Sequence, residues 1–162
     1  MALALLGLGS NVGDKVGNIR QALRLIGEVC TLKRVSRFYK TAPVGYVKQD
    51  WFINCAAEVD YDSTPLSLLK SLKSIEDELG RVEAVRFGPR VIDIDILFFS
   101  DQIVDESVLR VPHPRLHERL FVLAPLMDLS PDFVHPILKK TVRQMHSEVE
   151  SQGGVEPADV TV

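Results

Sequence analysis

The chain has 162 residues, 46% hydrophobic and 25% charged, with a formal net charge of −3. That is the composition of an ordinary globular domain, and at this length roughly 70% of the unfolded surface can be buried without a metal or disulfide staple. The weak negative charge argues against binding nucleic acid or an anionic membrane through bulk electrostatics, and Cys30 and Cys55 form no CxxC motif for zinc or redox work.

Met1 to Leu8 lacks the basic leader of a signal peptide, and no stretch approaches a membrane span, so a reduced, cytoplasmic chain is expected. Leu3 to Leu8 instead predicts a buried strand that ends in the turn Gly7-Leu-Gly-Ser-Asn11. Val16, Ile19, Leu23 and Ile26 recur at three- and four-residue steps and predict an amphipathic helix closed by Gly27. Thr31 to Thr41 reads as one strand, followed by a loop from Ala42 to Asp50. From Trp51 to Tyr61 the residues alternate between two faces, Ile53, Cys55, Ala57 and Val59 on one and Phe52, Asn54, Ala56 and Glu58 on the other. Ser63 or Thr64 can cap the next helix and Pro65 suits its first turn, with Leu66, Leu69, Leu72, Ile75 and Leu79 as the buried stripe before Gly80. A loop from Arg81 to Arg90 leads into a strand from Val91 to Phe99, rich in β-branched and aromatic residues.

The order βαββαβ predicts an α+β fold with a ferredoxin-like core: an antiparallel sheet carrying both helices on one face. Helical segments at Arg115 to Met127 and Thr141 to Glu150 would cover the other face and complete a three-layer αβα domain over residues 1–150. Gly153, Gly154 and Pro157 make residues 151–162 a loose tail.

The sharpest chemical feature is Val91-Ile-Asp-Ile-Asp-Ile-Leu-Phe-Phe99. Extended backbone puts Asp93 and Asp95 on one face, with Cα atoms roughly 7 Å apart, and Ile92, Ile94, Ile96 and Phe98 on the other. Paired carboxylates in a strong strand cost stability unless cations meet them. An ion pair with Arg86 or Arg90 is one solution; Mg²⁺, which favours oxygen ligands and keeps sites for water and phosphate, is the preferred one. Apart from histidine, every basic residue from Arg81 to Arg119 is arginine, the residue whose planar fork grips phosphate, and His113 and His117 add two further donors. The glycine-rich turn fits neither nucleotide motif: Gly7-Leu-Gly-Ser-Asn-Val-Gly13 is one residue too long for GxGxxG, and Gly13-Asp-Lys15 breaks the P-loop ending. Thr41-Ala-Pro-Val-Gly45, Phe52, Asn54, Phe87 and Phe121 could together hold a flat polar heterocycle, an amide reading its edge and aromatic faces stacking on it.

These segments, above all Arg86-Phe-Gly-Pro-Arg-Val-Ile-Asp-Ile-Asp95, with Phe38-Tyr-Lys-Thr-Ala-Pro-Val-Gly45, Phe52-Ile-Asn54 and Val111-Pro-His-Pro-Arg-Leu-His-Glu-Arg119, resemble the 6-hydroxymethyl-7,8-dihydropterin pyrophosphokinase family of folate synthesis. The resemblance implies transfer of pyrophosphate from ATP, the co-substrate, to the pterin alcohol. It implies that Asp93 and Asp95 hold two Mg²⁺ ions and act in catalysis with Arg81, Arg86 and Arg90. ATP contacts are implied for those arginines, His113, His117, Arg119, Ile96 and Glu76, the last placed on the exposed side of the second helix. The pterin would be read by Thr41, Pro43, Val44 and Asn54 and stacked between Phe52 and Phe121. Phe52 stands where tyrosine is frequent, Phe87 where some members have tryptophan, and Glu83 and Ala84 where some carry a further arginine. The partners so implied are the two small-molecule substrates, with no nucleic acid, membrane or obligate protein partner. The rival readings of the same element order are an RNA-recognition module, which the exposed aspartates and the missing aromatic of the first strand disfavour, and a ligand-sensing domain without catalysis.

Overall fold

A computed structural model of the chain describes residues 1–43, 50–80 and 91–160. β1 (Ala2–Ser10) runs through the middle of the sheet, antiparallel to β4 (Phe52–Tyr61) on one side and to β5 (Asp93–Phe99) on the other. Its apolar run follows from that position, because both faces of a central strand are covered. β2 (Thr31–Val35) and β3 (Tyr39–Thr41) both pair with β4, and β8 (Val155–Pro157) pairs with β3, giving the order β5-β1-β4-β3-β8 with β2 beside β3.

Two apolar clusters lie on opposite faces of this sheet. One joins α1 (Lys15–Val29) and α2 (Pro65–Glu78) to Leu6, Leu8, Cys55, Ala57, Ile94 and Ile96. The other joins α3 (Leu120–Leu129) and α4 (Val142–Val149) to Leu5, Ala56, Leu97 and Phe98. The α+β, three-layer architecture is therefore the one the element order predicts. A small hairpin of β6 (Val104–Asp105) and β7 (Arg110–Val111) follows β5. Among the described residues no helix is long and apolar enough to cross a membrane.

Several local expectations are corrected. Asp14 caps α1 by accepting from the Gly17 amide, but the helix runs through Gly27 to Val29. Gly27 is exposed there and costs only its helix propensity, about 1 kcal/mol, while buried Leu25 and Ile26 hold the turn in place. Thr64 caps α2 and Pro65 opens it, yet the centre of the buried face includes Leu68 as well as Leu72 and Ile75, with Leu66, Leu69 and Leu79 only partly buried at its border.

The single strand expected from Thr31 to Thr41 is broken at Ser36. Opposite β4, Val35 faces Ala57 and Tyr39 faces Asn54, so the β2–β3 side carries one extra residue. Buried Ser36 makes that irregularity tolerable: its amide donates to the Ala56 carbonyl at 2.9 Å and its hydroxyl accepts from the Ala56 amide at 2.9 Å. A second register shift lies opposite Leu5 and Leu6, where Ile96 and Phe98 are the partners. It turns Phe98 away from Ile96 and into the α3–α4 cluster beside Leu97, so Phe98 does not share the isoleucine face.

The helix predicted from Arg115 is a 3-10 turn at Leu116–Glu118, and α3 begins only at Leu120. The tail is not loose where it contains β8: Ala42 donates its amide to the Gly154 carbonyl, and Ala158 donates to that of Phe38. The edge left open by β3 is what the tail satisfies. At the other end of α3, Asp128 accepts from the Tyr39 hydroxyl at 2.9 Å and pairs with the Arg37 guanidinium at 3.0 Å, fastening the helix to β3.

Candidate active site

Cross-strand register assembles the site. Gly9 of β1 lies opposite Asn54 on one side and Asp93 on the other, and Gly7 lies opposite Ala56 and Asp95. Residues directly opposite share a sheet face, so Asn54, Gly9 and Asp93 form one row and Ala56, Gly7 and Asp95 the next. The two glycines leave this face without side chains between the amide and the carboxylates. A Cβ at Gly9 would come within 2.5 Å of Asn54 Nδ2, and one at Gly7 within 3.4 Å of the Leu97 side chain. Gly7-x-Gly9 is thus strand, not the predicted turn, and its two glycines make room for the Leu97 and Asn54 side chains.

On one side of the trough, Thr41 is buried and its hydroxyl donates to Asn54 Oδ1 at 2.5 Å, while Asn54 Nδ2 reaches the Leu8 carbonyl at 3.4 Å. Phe52 pairs with Thr41 and is half-buried on the same face as Asn54; Pro43 follows, also half-buried. Half-buried Phe121 stands in the first turn of α3, with the Arg119 guanidinium 5.7 Å from its ring centroid.

On the opposite side, Asp93 and Asp95 are half-buried on β5 and each makes interactions within the protein. The His113 amide donates to the Leu97 carbonyl at 3.0 Å, which brings its ring into the field of Asp93. Burial pushes the His113 imidazole down to about 4, Arg119 and Arg115 add to the effect, and Asp93 opposes it. The Arg115 amide donates to His113 Nδ1 at 3.4 Å, so the neutral ring carries its proton on Nε2 and presents a donor. Burial also lowers the Arg119 guanidinium, with Arg115 next, while Asp95, Glu118 and Asp93 pull it back. Two carboxylates beside one half-buried cation and a neutral donor leave an excess of negative charge, which favours a further cation at the carboxylates. His117 is farther out, 3.7 Å from Glu118, and lines a separate cavity of about 300 Å³ with His113, Arg110, Ile137 and Leu138; none of Phe52, Asn54, Asp93 or Asp95 lines it.

One nucleotide assignment is placed differently from expectation. Glu76 does not lie on the exposed side of α2: it is 3% exposed, and its Oε2 accepts from the Ile94 amide at 2.8 Å. β5 is the sheet edge, so its outward amide needs such an acceptor, and Ile94 is the residue between the two aspartates. The Ile96 side chain is buried in the helix-side core, away from the aspartate face. Val44, Arg81, Arg86 and Arg90, with Glu83, Ala84 and Phe87, lie outside the described residues.

Among the described residues no three histidine, cysteine or acidic side chains gather into a metal cage. Two hard oxygen anions on an accessible face suit Mg²⁺, which completes its shell with water and phosphate oxygens. The donor set therefore fits that ion.

Fold and site together define a class: a ferredoxin-like α+β protein whose sheet carries an amide and two carboxylates in adjacent rows of one face. Residues 5–131 match the family model described as 7,8-dihydro-6-hydroxymethylpterin-pyrophosphokinase, and the chain belongs to that family. It is 46% identical over 129 residues to the 2-amino-4-hydroxy-6-hydroxymethyldihydropteridine pyrophosphokinase of Bacillus subtilis, covering 78% of this chain and 77% of that one. The enzyme of the same name from Methylorubrum extorquens is 42% identical over 155 residues, covering 94% and 97%. The folic acid synthesis protein of Dictyostelium discoideum is 42% identical over 153 residues, of which this chain spans only 23%. Among solved structures, the Plasmodium falciparum HPPK-DHPS with pterin and p-hydroxybenzoate superposes with a TM-score of 0.77 at 18% identity, over 96% of this chain and 45% of that one; it bears on the fold alone.

Proposed function

We propose that this chain performs its family's reaction, moving the pyrophosphoryl group of ATP to the hydroxymethyl oxygen of 6-hydroxymethyl-7,8-dihydropterin and releasing AMP, with Asp93 and Asp95 as the ligands of two Mg²⁺ ions. The observation that carries this reading is the register that sets Asn54 and Asp93 on opposite sides of Gly9 in one row of the sheet. The bond formed joins the pterin oxygen to the β-phosphorus; the bond broken joins that phosphorus to the oxygen retained by AMP. Such transfers depend on positioning and charge compensation more than on covalent help. Bound Mg²⁺ would neutralise phosphate charge and so favour attack on the β-phosphorus.

The chain's own groups divide the remaining work. Asn54, held by Thr41, reads the polar edge of the pterin, and Phe52 and Phe121 stack on its faces beside Pro43, while Val44 enters as a pterin contact on the strength of the sequence motif. Arg119 compensates phosphate charge, and His113 donates from Nε2 without adding a charge of its own. Glu76 holds the backbone between the aspartates. Arg81, Arg86, Arg90 and His117 enter the proposal as phosphate contacts on the strength of the sequence motif. Both substrates are small soluble molecules, and we place the reaction in the cytoplasm.

Incubation with Mg²⁺-ATP and the reduced pterin alcohol, followed by separation of the nucleotides, tests the reading. AMP formed only when the pterin is present is the expected product. ADP would indicate ordinary phosphoryl transfer, and pterin binding with no nucleotide consumed would favour a sensing domain.

A further inference from the structure

The two walls of the proposed pterin pocket belong to distant parts of the chain. Thr41 and Pro43 lie at the end of β3, and Arg119 and Phe121 at the start of α3. One short stretch near the C-terminus touches both. Gln152 Nε2 donates to the Glu118 carbonyl at 2.9 Å, and its Oε1 accepts from the Leu120 amide at 3.3 Å, so a single side chain brackets Arg119. The Arg119 side chain makes no capping bond to α3, which leaves Gln152 to satisfy the Leu120 amide from outside the helix.

Two residues further on, the Gly154 carbonyl accepts from the Ala42 amide at 2.8 Å, between Thr41 and Pro43, and β8 then runs along β3. Gly153 and Gly154 have φ values of +69° and +76°, and a Cβ on Gly154 would lie 3.3 Å from that of Ala42. The chain can pass from Gln152 to the sheet edge in so few residues because glycine adopts this left-handed backbone without strain. Val155 continues the contact by packing against Tyr39, Leu120 and Ala124, the small cluster between β3 and α3.

We propose that residues 152–158 form a clasp that sets the distance between the two pterin-facing walls, with Gln152 as a positioning residue for Arg119 and Phe121. This rests on the pyrophosphokinase reading of the site and deepens it. Arg119 is itself coupled to Asp95 and Asp93, so the part of the clasp that touches the pterin wall alone is Gly154 against Ala42, and the pterin half should depend on that contact more than the nucleotide half.

The test compares full-length Gln152→Ala and Gly154→Val with wild type by calorimetric titration of the pterin and of Mg²⁺-ATP, by steady-state kinetics and by thermal melting. Gly154→Val should weaken pterin binding on the order of tenfold, and Gln152→Ala by about threefold, since one of its two bonds is exposed and the other only partly buried. For Gly154→Val, ATP affinity should stay within about twofold, with the loss in kcat/KM for the pterin carried mainly by KM, whereas Gln152→Ala, which frees Arg119, should weaken Mg²⁺-ATP binding by a similar small factor. A wild type that turns over while both variants keep its pterin affinity overturns the clasp alone. Equal losses for pterin and ATP with a lowered Tm in both variants overturn it too, as general structural support. A wild-type chain that releases no AMP sinks the parent reading and this one with it.

Discussion

Asp93 and Asp95 stand where a strand would otherwise be apolar on both faces, and their cost in self-repulsion is what makes removal of either informative. Asp93→Ala and Asp95→Ala should each lower AMP formation by at least about 100-fold, with circular dichroism and Tm close to wild type. A variant with full activity in Mg²⁺ would contradict the assignment. Asn54→Ala removes the amide that Thr41 orients, and should weaken pterin binding about tenfold with little effect on ATP; calorimetry separates the two. Asp93, Asp95, Asn54 and Phe52 were legible because alternation in a strand assigns faces from residue number alone. Gly7 and Gly9 were equally legible in principle. Two glycines two apart in a strand stand on one face and leave it without side chains of their own.

At the scale of elements, the edge position of β5 explains Glu76. A helix periodicity that counts only apolar residues assigns position 76 to solvent, whereas the open strand edge beside α2 turns a buried carboxylate into the acceptor for Ile94. Glu76→Ala should therefore destabilise the protein by about 1–3 kcal/mol, the cost of leaving a buried donor unmet, read from urea unfolding. Glu76→Gln retains a side-chain carbonyl oxygen for Ile94 and should recover most of the loss. No change in stability on going to alanine would mean that the Ile94 amide finds another acceptor. The break at Ser36 and the register shift near Leu97 belong to the same scale. Each inserts one residue into a ladder, which no count along a single strand reveals because it depends on the partner strand.

For the molecule as a whole, buried acids that must stay protonated set the alkaline limit. Burial pushes Cys55 up to about 12. Burial and then Asp62 raise Cys30 to about 11. Burial and then the hydrogen bond with Asp128 raise Tyr39 to about 12. In the unfolded chain these groups ionise near 8.5 for cysteine and 10 for tyrosine. The native state thus holds protons that the unfolded state releases, and stability falls as pH rises above about 8.5 toward these native values. Denaturant midpoints measured from pH 8 to 11 should decline steadily, and Cys55→Ala should flatten the decline; a midpoint constant over that range would refute the argument.

The α+β element order and the acidic strand could be read from residue types and their spacing, and the family from the resemblance of its motifs, because each is written over a few consecutive positions. The placing of Glu76 in the interior and the return of residues 152–158 to the sheet edge could not. Those depend on which strand edge is left unsatisfied once the chain has folded, and unmet backbone hydrogen bonds recruit partners by proximity in space, whatever their separation along the chain.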